Sequence, residues 1–132
     1  MARGRILVAD DEEGIRESLH LILGEAYDLV CAHDGVQALR RLRGETFALA
    51  FLDIKMPKLD GLEVLRQLQG TPTPPPIVML TAYQSVELAQ EALKLGAVHY
   101  LPKPFERAQI LSIVHELLGP SPRRLSPPPG ST

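Results

Sequence analysis

Five short, continuously apolar runs alternate along the chain with segments of helical periodicity. The runs are ILVA (6–9), LVCA (29–32), ALAFL (48–52), IVML (77–80) and the weaker AVHYL (97–101). Uninterrupted apolar runs of this length are typical of strands that are covered on both faces, as in a parallel sheet. The alternation therefore predicts an α/β fold, a doubly wound, five-stranded parallel sheet with five helices.

The segments between the runs carry apolar stripes that are predicted to face the sheet. The stripes are Ile15, Leu19, Ile22 and Leu23; Ala38, Leu39 and Leu42; Leu62, Leu65 and Leu68; and Ile110, Ile113, Val114 and Leu117. Asp34 and Ser85 are placed to act as N-caps, and Gly96 to end the fourth helix. Glu12 and Glu13 are interpreted as acids that favour the N-terminus of the first helix, and Cys31 as a small core residue.

Composition narrows the class of protein. The 132 residues predict one domain, residues 1–119, followed by a Pro/Ser-rich tail or linker, residues 120–132, that is expected to be disordered. A net charge of −2 argues against direct nucleic-acid binding, and no apolar run reaches the length of a membrane span. One cysteine excludes a disulfide framework. We therefore expect a cytoplasmic protein with no membrane contact.

Polar residues follow four of the five predicted strands. Asp10 and Asp11 follow the first, and Asp53, Thr81 and Lys103 follow the third, fourth and fifth. In open α/β sheets the ligand crevice lies beyond the carboxyl ends of the strands, so these groups should converge. Three carboxylates suit Mg²⁺, whereas a site without His or Cys suits zinc poorly. A carboxylate beside Mg²⁺ and a lysine can attack phosphorus, so the spacing indicates phosphoryl chemistry on an aspartate.

Four stretches together resemble the response-regulator receiver domain of two-component signal transduction: VADDE (8–12), FLDIKMPKLDG (51–61), MLTAY (79–83) and YLPKPF (100–105). The resemblance covers about residues 4–118. It implies a flavodoxin-like strand order, 2-1-3-4-5. It also implies a phosphoprotein that receives its phosphoryl group from a sensor histidine kinase or phosphotransfer protein. Such a receiver catalyses only its own phosphorylation and dephosphorylation and is not an enzyme in the usual sense.

The resemblance assigns the metal and acceptor residues. Asp53 would be the phosphoacceptor. Asp11 would bind Mg²⁺ directly, Asp10 would bind it through water, and Asp53 would contribute an oxygen. The remaining protein ligand would be the backbone carbonyl of Lys55.

The resemblance also assigns the residues that read the phosphoryl group. Thr81 would hydrogen-bond it, Ala82 would leave room for it, and Lys103 would pair first with the acceptor and then with a phosphoryl oxygen. Lys103–Pro104 would be a cis peptide, with Pro104 at the phosphoryl pocket. Tyr100 would turn inward when Thr81 moves, which would switch the surface of helix 4, strand 5 and helix 5.

Further expectations concern lifetime and partners. Lys55 and Tyr83 are large residues two positions past Asp53 and Thr81, and we predict that they hinder water and slow self-dephosphorylation. Gly14, Ile15 and Ser18 are candidate docking residues for a partner helix. An output domain or downstream protein and a phosphorylation-dependent homodimer are possible partners.

Three other functions compete with this interpretation. A haloacid-dehalogenase-like phosphatase uses a similar residue set, but its nucleophile follows strand one in a D-x-D-x pattern, where this chain has DDEE. A flavin or nucleotide binder would favour Gly and Ser/Thr after strand one, where this chain has acids. A constitutive receiver-like binding module would not need the full acidic set.

Overall fold

The computed structural model describes residues 4–82 and 85–119. The predicted tail, residues 120–132, and Tyr83 lie outside the described residues. The strands are β1 (Arg5–Ala9), β2 (Asp28–Ala32), β3 (Leu49–Leu52), β4 (Ile77–Thr81) and β5 (His99–Pro102). The helices are α1 (Glu13–Leu23), α2 (Gly35–Gly44), α3 (Gly61–Gln67), α4 (Val86–Lys94) and α5 (Arg107–Leu118).

All paired strands are parallel, in the order β2-β1-β3-β4-β5. This confirms the predicted fold class and strand order. Alternate residues of each strand point to opposite faces of the sheet, so β1 supplies Leu7 to one core and Ile6 and Val8 to the other. Helices α2, α3 and α4 cover the first core, which we call the α2-side core, and α1 and α5 cover the second.

The helix ends follow from local residue chemistry. The Asp34 side chain accepts a hydrogen bond from the Gln37 N–H, and the Ser85 side chain accepts one from the Leu88 N–H. Caps of this kind each stabilise a helix by about 1 kcal/mol. Gly96 follows α4 with φ of +112°, a left-handed conformation that favours glycine. The three predicted helix boundaries are confirmed.

Two details of the strands differ from the prediction. Cys31 is exposed, so its assignment to the core was wrong. It lies on the edge strand β2, on the face that only α1 and α5 cover, and these helices leave this part of the edge open. The fifth strand begins at His99 rather than at residue 97, and Val98 before it is 42% exposed.

The helices are short. The longest, α5, has 12 residues, and no helix among the described residues has the length and apolarity to cross a membrane.

Candidate functional site

The carboxyl ends of β1, β3, β4 and β5 bring four of the predicted site residues to one edge of the sheet. Backbone hydrogen bonds extend the strand pairing into this edge: the Asp53 N–H donates to the Ala9 carbonyl (3.0 Å) and the Lys103 N–H donates to the Thr81 carbonyl (2.8 Å). Asp10, Asp53, Thr81 and Lys103 are all buried, at 8% exposure or less. The fold thus places these polar residues where little water reaches them.

The Lys103 ammonium joins the acids of this edge. Its Nζ lies 2.8 Å from Asp10 Oδ2, 3.0 Å from Asp53 Oδ2 and 3.0 Å from Glu12 Oε2. Burial acts to lower the pKa of Lys103, but its ion pair with Asp10 and its hydrogen bonds to Asp53 and Glu12 outweigh burial and hold the pKa above its usual value. Lys103 therefore stays charged at neutral pH.

The surroundings of Asp10 raise the pKa of its carboxyl group. Burial raises its pKa from 3.8 to about 6, although the ion pair with Lys103 and a hydrogen bond from the Glu12 N–H act in the opposite direction. The Glu12 N–H donates to Asp10 Oδ1 at 2.9 Å. The carboxylate of Asp53 adds to the rise by repulsion. Burial is therefore the main cause of the raised pKa of Asp10, and repulsion from Asp53 is a smaller one.

The chemistry of this cluster fits a hard divalent cation. Asp10, Asp11, Glu12 and Asp53 each offer a carboxylate oxygen, and these oxygens lie within 4.8 Å of one another. Three of these four carboxylates, those of Asp10, Glu12 and Asp53, contact the Lys103 ammonium. All the donors are oxygens, which suits Mg²⁺.

The predicted carbonyl ligand lies beside this group. The Lys55 N–H donates to Asp53 Oδ1 at 3.3 Å, so the residue adjoins the acceptor carboxylate. The assignment of its carbonyl as a ligand stays a prediction.

The remaining predicted residues surround this edge. Thr81 is fully buried at the end of β4, whereas Ala82 and Pro104 are exposed. Lys103–Pro104 is a cis peptide, as the resemblance implied. Tyr100 is half-buried and packs against the α2-side core. Burial raises the pKa of the Tyr100 hydroxyl, and a backbone hydrogen bond at Ser85 opposes the rise.

Sequence reasoning missed the contact of Glu12 with the site. We interpreted Glu12 only as an acid at the start of α1, and it does occupy the N-cap position, but its side chain makes no capping hydrogen bond. Its carboxylate contacts Lys103 instead. The signal was present, because Glu12 is the third of four consecutive acids directly after a buried strand. Among the candidate docking residues on α1, Gly14 is exposed and Ile15 and Ser18 are half-buried, and their role stays a prediction.

Comparison with known proteins gives consistent relatives. A family model described as response regulator receiver domain matches residues 6–115. Response regulator MprA of Mycobacterium tuberculosis is 46% identical over 115 residues, which cover 86% of this chain and 50% of MprA. MprA of Mycobacterium ulcerans is 45% identical over 115 residues. The chain thus spans about half the length of the curated relatives that it matches.

Solved structures share the fold. A response regulator receiver domain protein (CheY-like) from Methanospirillum hungatei JF-1 superposes with a TM-score of 0.81 at 32% identity, over 87% of this chain and 93% of that one. The receiver domain of sensor histidine kinase PA1611 from Pseudomonas aeruginosa PAO1 gives a TM-score of 0.80 at 27% identity, over 90% and 100%. That structure has a magnesium ion coordinated in its active site cleft.

Proposed function

Because the chain belongs to the response regulator receiver domain family, we propose that Asp53 accepts a phosphoryl group in a Mg²⁺-dependent reaction. The observation that carries this proposal is the buried contact of Asp53 with Lys103, inside a group of four carboxylates. Receiver domains are signalling modules, so the reaction is expected to modify the protein itself rather than to turn over a substrate.

The two oxygens of Asp53 are held differently, which orients the carboxylate for attack. Oδ1 accepts a hydrogen bond from the Lys55 N–H, and Oδ2 accepts one from Lys103 at 3.0 Å. In the proposed reaction a carboxylate oxygen forms a bond to phosphorus while the bond from phosphorus to the donor imidazole breaks, and the imidazole retains the electron pair. Lys103 stabilises the charge that develops on the phosphoryl oxygens.

The acidic residues complete the site. Mg²⁺ held by Asp10, Asp11, Asp53 and the Lys55 carbonyl would supply further charge neutralisation to the phosphoryl oxygens. Burial raises the pKa of Asp10 to about 6, so the charged side chain is costly to the fold, which supports the proposal that the acids serve a cation.

The proposed switch uses Thr81 and Tyr100. Thr81 would hydrogen-bond the new phosphoryl group, and Tyr100 would then turn inward. Two observations support the route: Tyr100 lies on β5 opposite Met79 of the strand that ends at Thr81, and it packs against the same core as Leu88 of α4. A movement of Tyr100 would therefore reach the surface of α4, β5 and α5.

The partners follow from the family. We propose that a sensor histidine kinase or a phosphotransfer protein is the phosphoryl donor, and that the exchange takes place in the cytoplasm. Since the curated relatives are about twice the matched length, an output domain or a downstream protein would read the switched surface. We also propose that the phosphorylated protein dimerises through that surface.

Intact-mass spectrometry with acetyl phosphate and Mg²⁺ tests the acceptor. We expect one phosphoryl adduct on the wild-type protein and none on Asp53→Asn or in the presence of a chelator. Asp60→Asn is a matched control, because Asp60 caps α3 and asparagine caps a helix equally well. No adduct on folded protein that binds Mg²⁺ would favour a constitutive binding module instead.

The same adduct measures the phosphoryl lifetime. Lys55 is exposed beside the acceptor, in agreement with a side chain that hinders attacking water. We expect slow self-dephosphorylation, and decay of the adduct within seconds in Mg²⁺ buffer would contradict it.

A further inference from the structure

The N-terminus of α2 lies directly against the loop that carries the acceptor. We call residues 53–61, from Asp53 to Gly61, the acceptor loop. The Gly35 N–H donates to the Pro57 carbonyl at 3.3 Å. A Cβ added at Gly35 would lie 1.8 Å from the Leu59 carbonyl oxygen and 2.5 Å from its carbonyl carbon. These atoms are backbone, so the loop itself would have to move.

A second contact joins the same two elements. Asp34 caps α2 through Oδ1, which accepts the Gln37 N–H at 2.8 Å, while its Oδ2 lies 3.6 Å from Lys58 Nζ in the acceptor loop. Lys58 has φ of +71°, which non-glycine residues adopt infrequently. The α2 N-terminus therefore contacts the loop at a residue with a left-handed backbone conformation.

The acceptor loop has a short path from this contact to the acceptor carboxylate. Lys55 lies two residues before Pro57, and its N–H holds Asp53 Oδ1. The other end of the loop is fixed by a hydrogen bond from the Gly61 N–H to the Ile54 carbonyl (2.7 Å). Only a few residues separate Pro57 from the Lys55 N–H, which orients the Asp53 carboxylate. A displacement of Pro57 is therefore expected to displace this N–H as well.

We propose that Asp34 and Gly35 are positioning residues for phosphorylation, because they hold the acceptor loop and thereby set the orientation of the Asp53 carboxylate. The inference rests on the proposed function of Asp53. Neither residue belongs to the acidic group or contacts Lys103, so their effect on the reaction is transmitted through the loop.

Two glycine substitutions in one helix separate positioning from helix stability. Gly35→Ala and Gly44→Ala both place alanine in α2, which by itself favours a helix. Apart from its chain neighbours and the backbone of its own helix, a Cβ added at Gly44 would meet no heavy atom of the described residues within 4 Å. For Gly35→Ala we expect the rate constant of phosphorylation by acetyl phosphate, at saturating Mg²⁺, to fall by roughly tenfold to a hundredfold. Gly44→Ala should react like the wild type.

Amide hydrogen exchange supplies a readout besides activity. In Gly35→Ala the Lys55 and Leu59 amides should exchange faster, since their hydrogen bonds lie within the displaced loop, whereas amides of the β3 strand should not. A purely structural role would lower the unfolding temperature but leave the rate per folded molecule unchanged. An unchanged rate for folded Gly35→Ala would overturn the inference.

The ion pair gives a second test that does not depend on the folding of Gly35→Ala. Asp34→Asn retains the cap, and Lys58→Met removes the other charge. Each should slow phosphorylation by about two- to fivefold, and the double variant should be no slower than either single one. Arg40→Met, elsewhere on α2, is the control. Additive effects, or none, would overturn the inference, whereas an unreactive wild-type protein would instead refute the proposed function.

Discussion

Replacement of Asp10 by asparagine is expected to stabilise the metal-free protein while weakening its site. Asp10 is 1% exposed and carries its charge among other carboxylates. Burial raises its pKa from 3.8 to about 6. That difference corresponds to about 3 kcal/mol by which the ionised side chain disfavours the folded state.

The sign of the effect determines its pH dependence. Below pH 3.8 the carboxyl is protonated in both states and costs nothing. Between pH 3.8 and about 6 the unfolded state ionises first, so stability falls as pH rises, and above about 6 the loss is complete. Asparagine is neutral throughout but gives up the 2.8 Å ion pair with Lys103. We therefore expect a net gain of about 1–3 kcal/mol near pH 7.5.

Urea unfolding followed by circular dichroism, with a chelator present, measures this gain. Asp10→Asn should exceed the wild type near pH 7.5, and the difference should shrink toward about pH 4.5. Asp11→Asn is the matched control, because Asp11 is exposed and its neutralisation should change stability by less. If Asp10→Asn is no more stable than the wild type near pH 7.5, or if its advantage does not depend on pH, the electrostatic argument fails.

Three further predictions test the site and the core. Lys103→Met should remain folded in Mg²⁺ but lose roughly tenfold or more in phosphorylation rate, because it removes the ammonium beside Asp53; a wild-type rate would contradict its role. Gly61→Ala should destabilise by about 2 kcal/mol or more in thermal unfolding, since its Cβ would lie 2.2 Å from the Asp53 carbonyl oxygen; an unchanged melting temperature would show that the loop yields. Leu19→Ala should cost about 2–5 kcal/mol in urea unfolding and Leu21→Ala much less, because they are 0% and 79% exposed in the same helix; equal losses would refute the packing.

Helices could be predicted from the sequence where the residues that they bury recur at helical spacing. Leu62, Leu65 and Leu68 recur at helical spacing, and all three are buried against the sheet. The capping residues Asp34 and Ser85 were also predictable, since each cap depends on a residue three positions away. The convergence of the polar residues that form the site could be predicted from the positions of the strand ends alone, because parallel strands have their carboxyl ends at one edge of the sheet.

What the sequence did not reveal depends on contacts between distant segments. Cys31 stands in an apolar run, but its exposure depends on how far two helices extend over an edge strand. Glu12 is 91 residues from Lys103 along the chain. Its carboxylate contacts Lys103 instead of capping α1 because of the direction in which the side chain points. The close approach of Gly35 to Leu59 likewise could not be predicted from hydrophobic periodicity, because the residues around each position do not indicate the distance between them.

The pairing of β1 with β3 has a consequence for insertions and deletions. Ala9 stands opposite Leu52, and the residue that directly follows each strand is a site carboxylate, Asp10 or Asp53. One residue inserted into β3 would bring an apolar side chain to the position of Asp53 and would exchange the residues that face the two cores. Homologous chains should therefore vary in length at the proline-rich connection around residues 71–76, while the central strands keep a constant length.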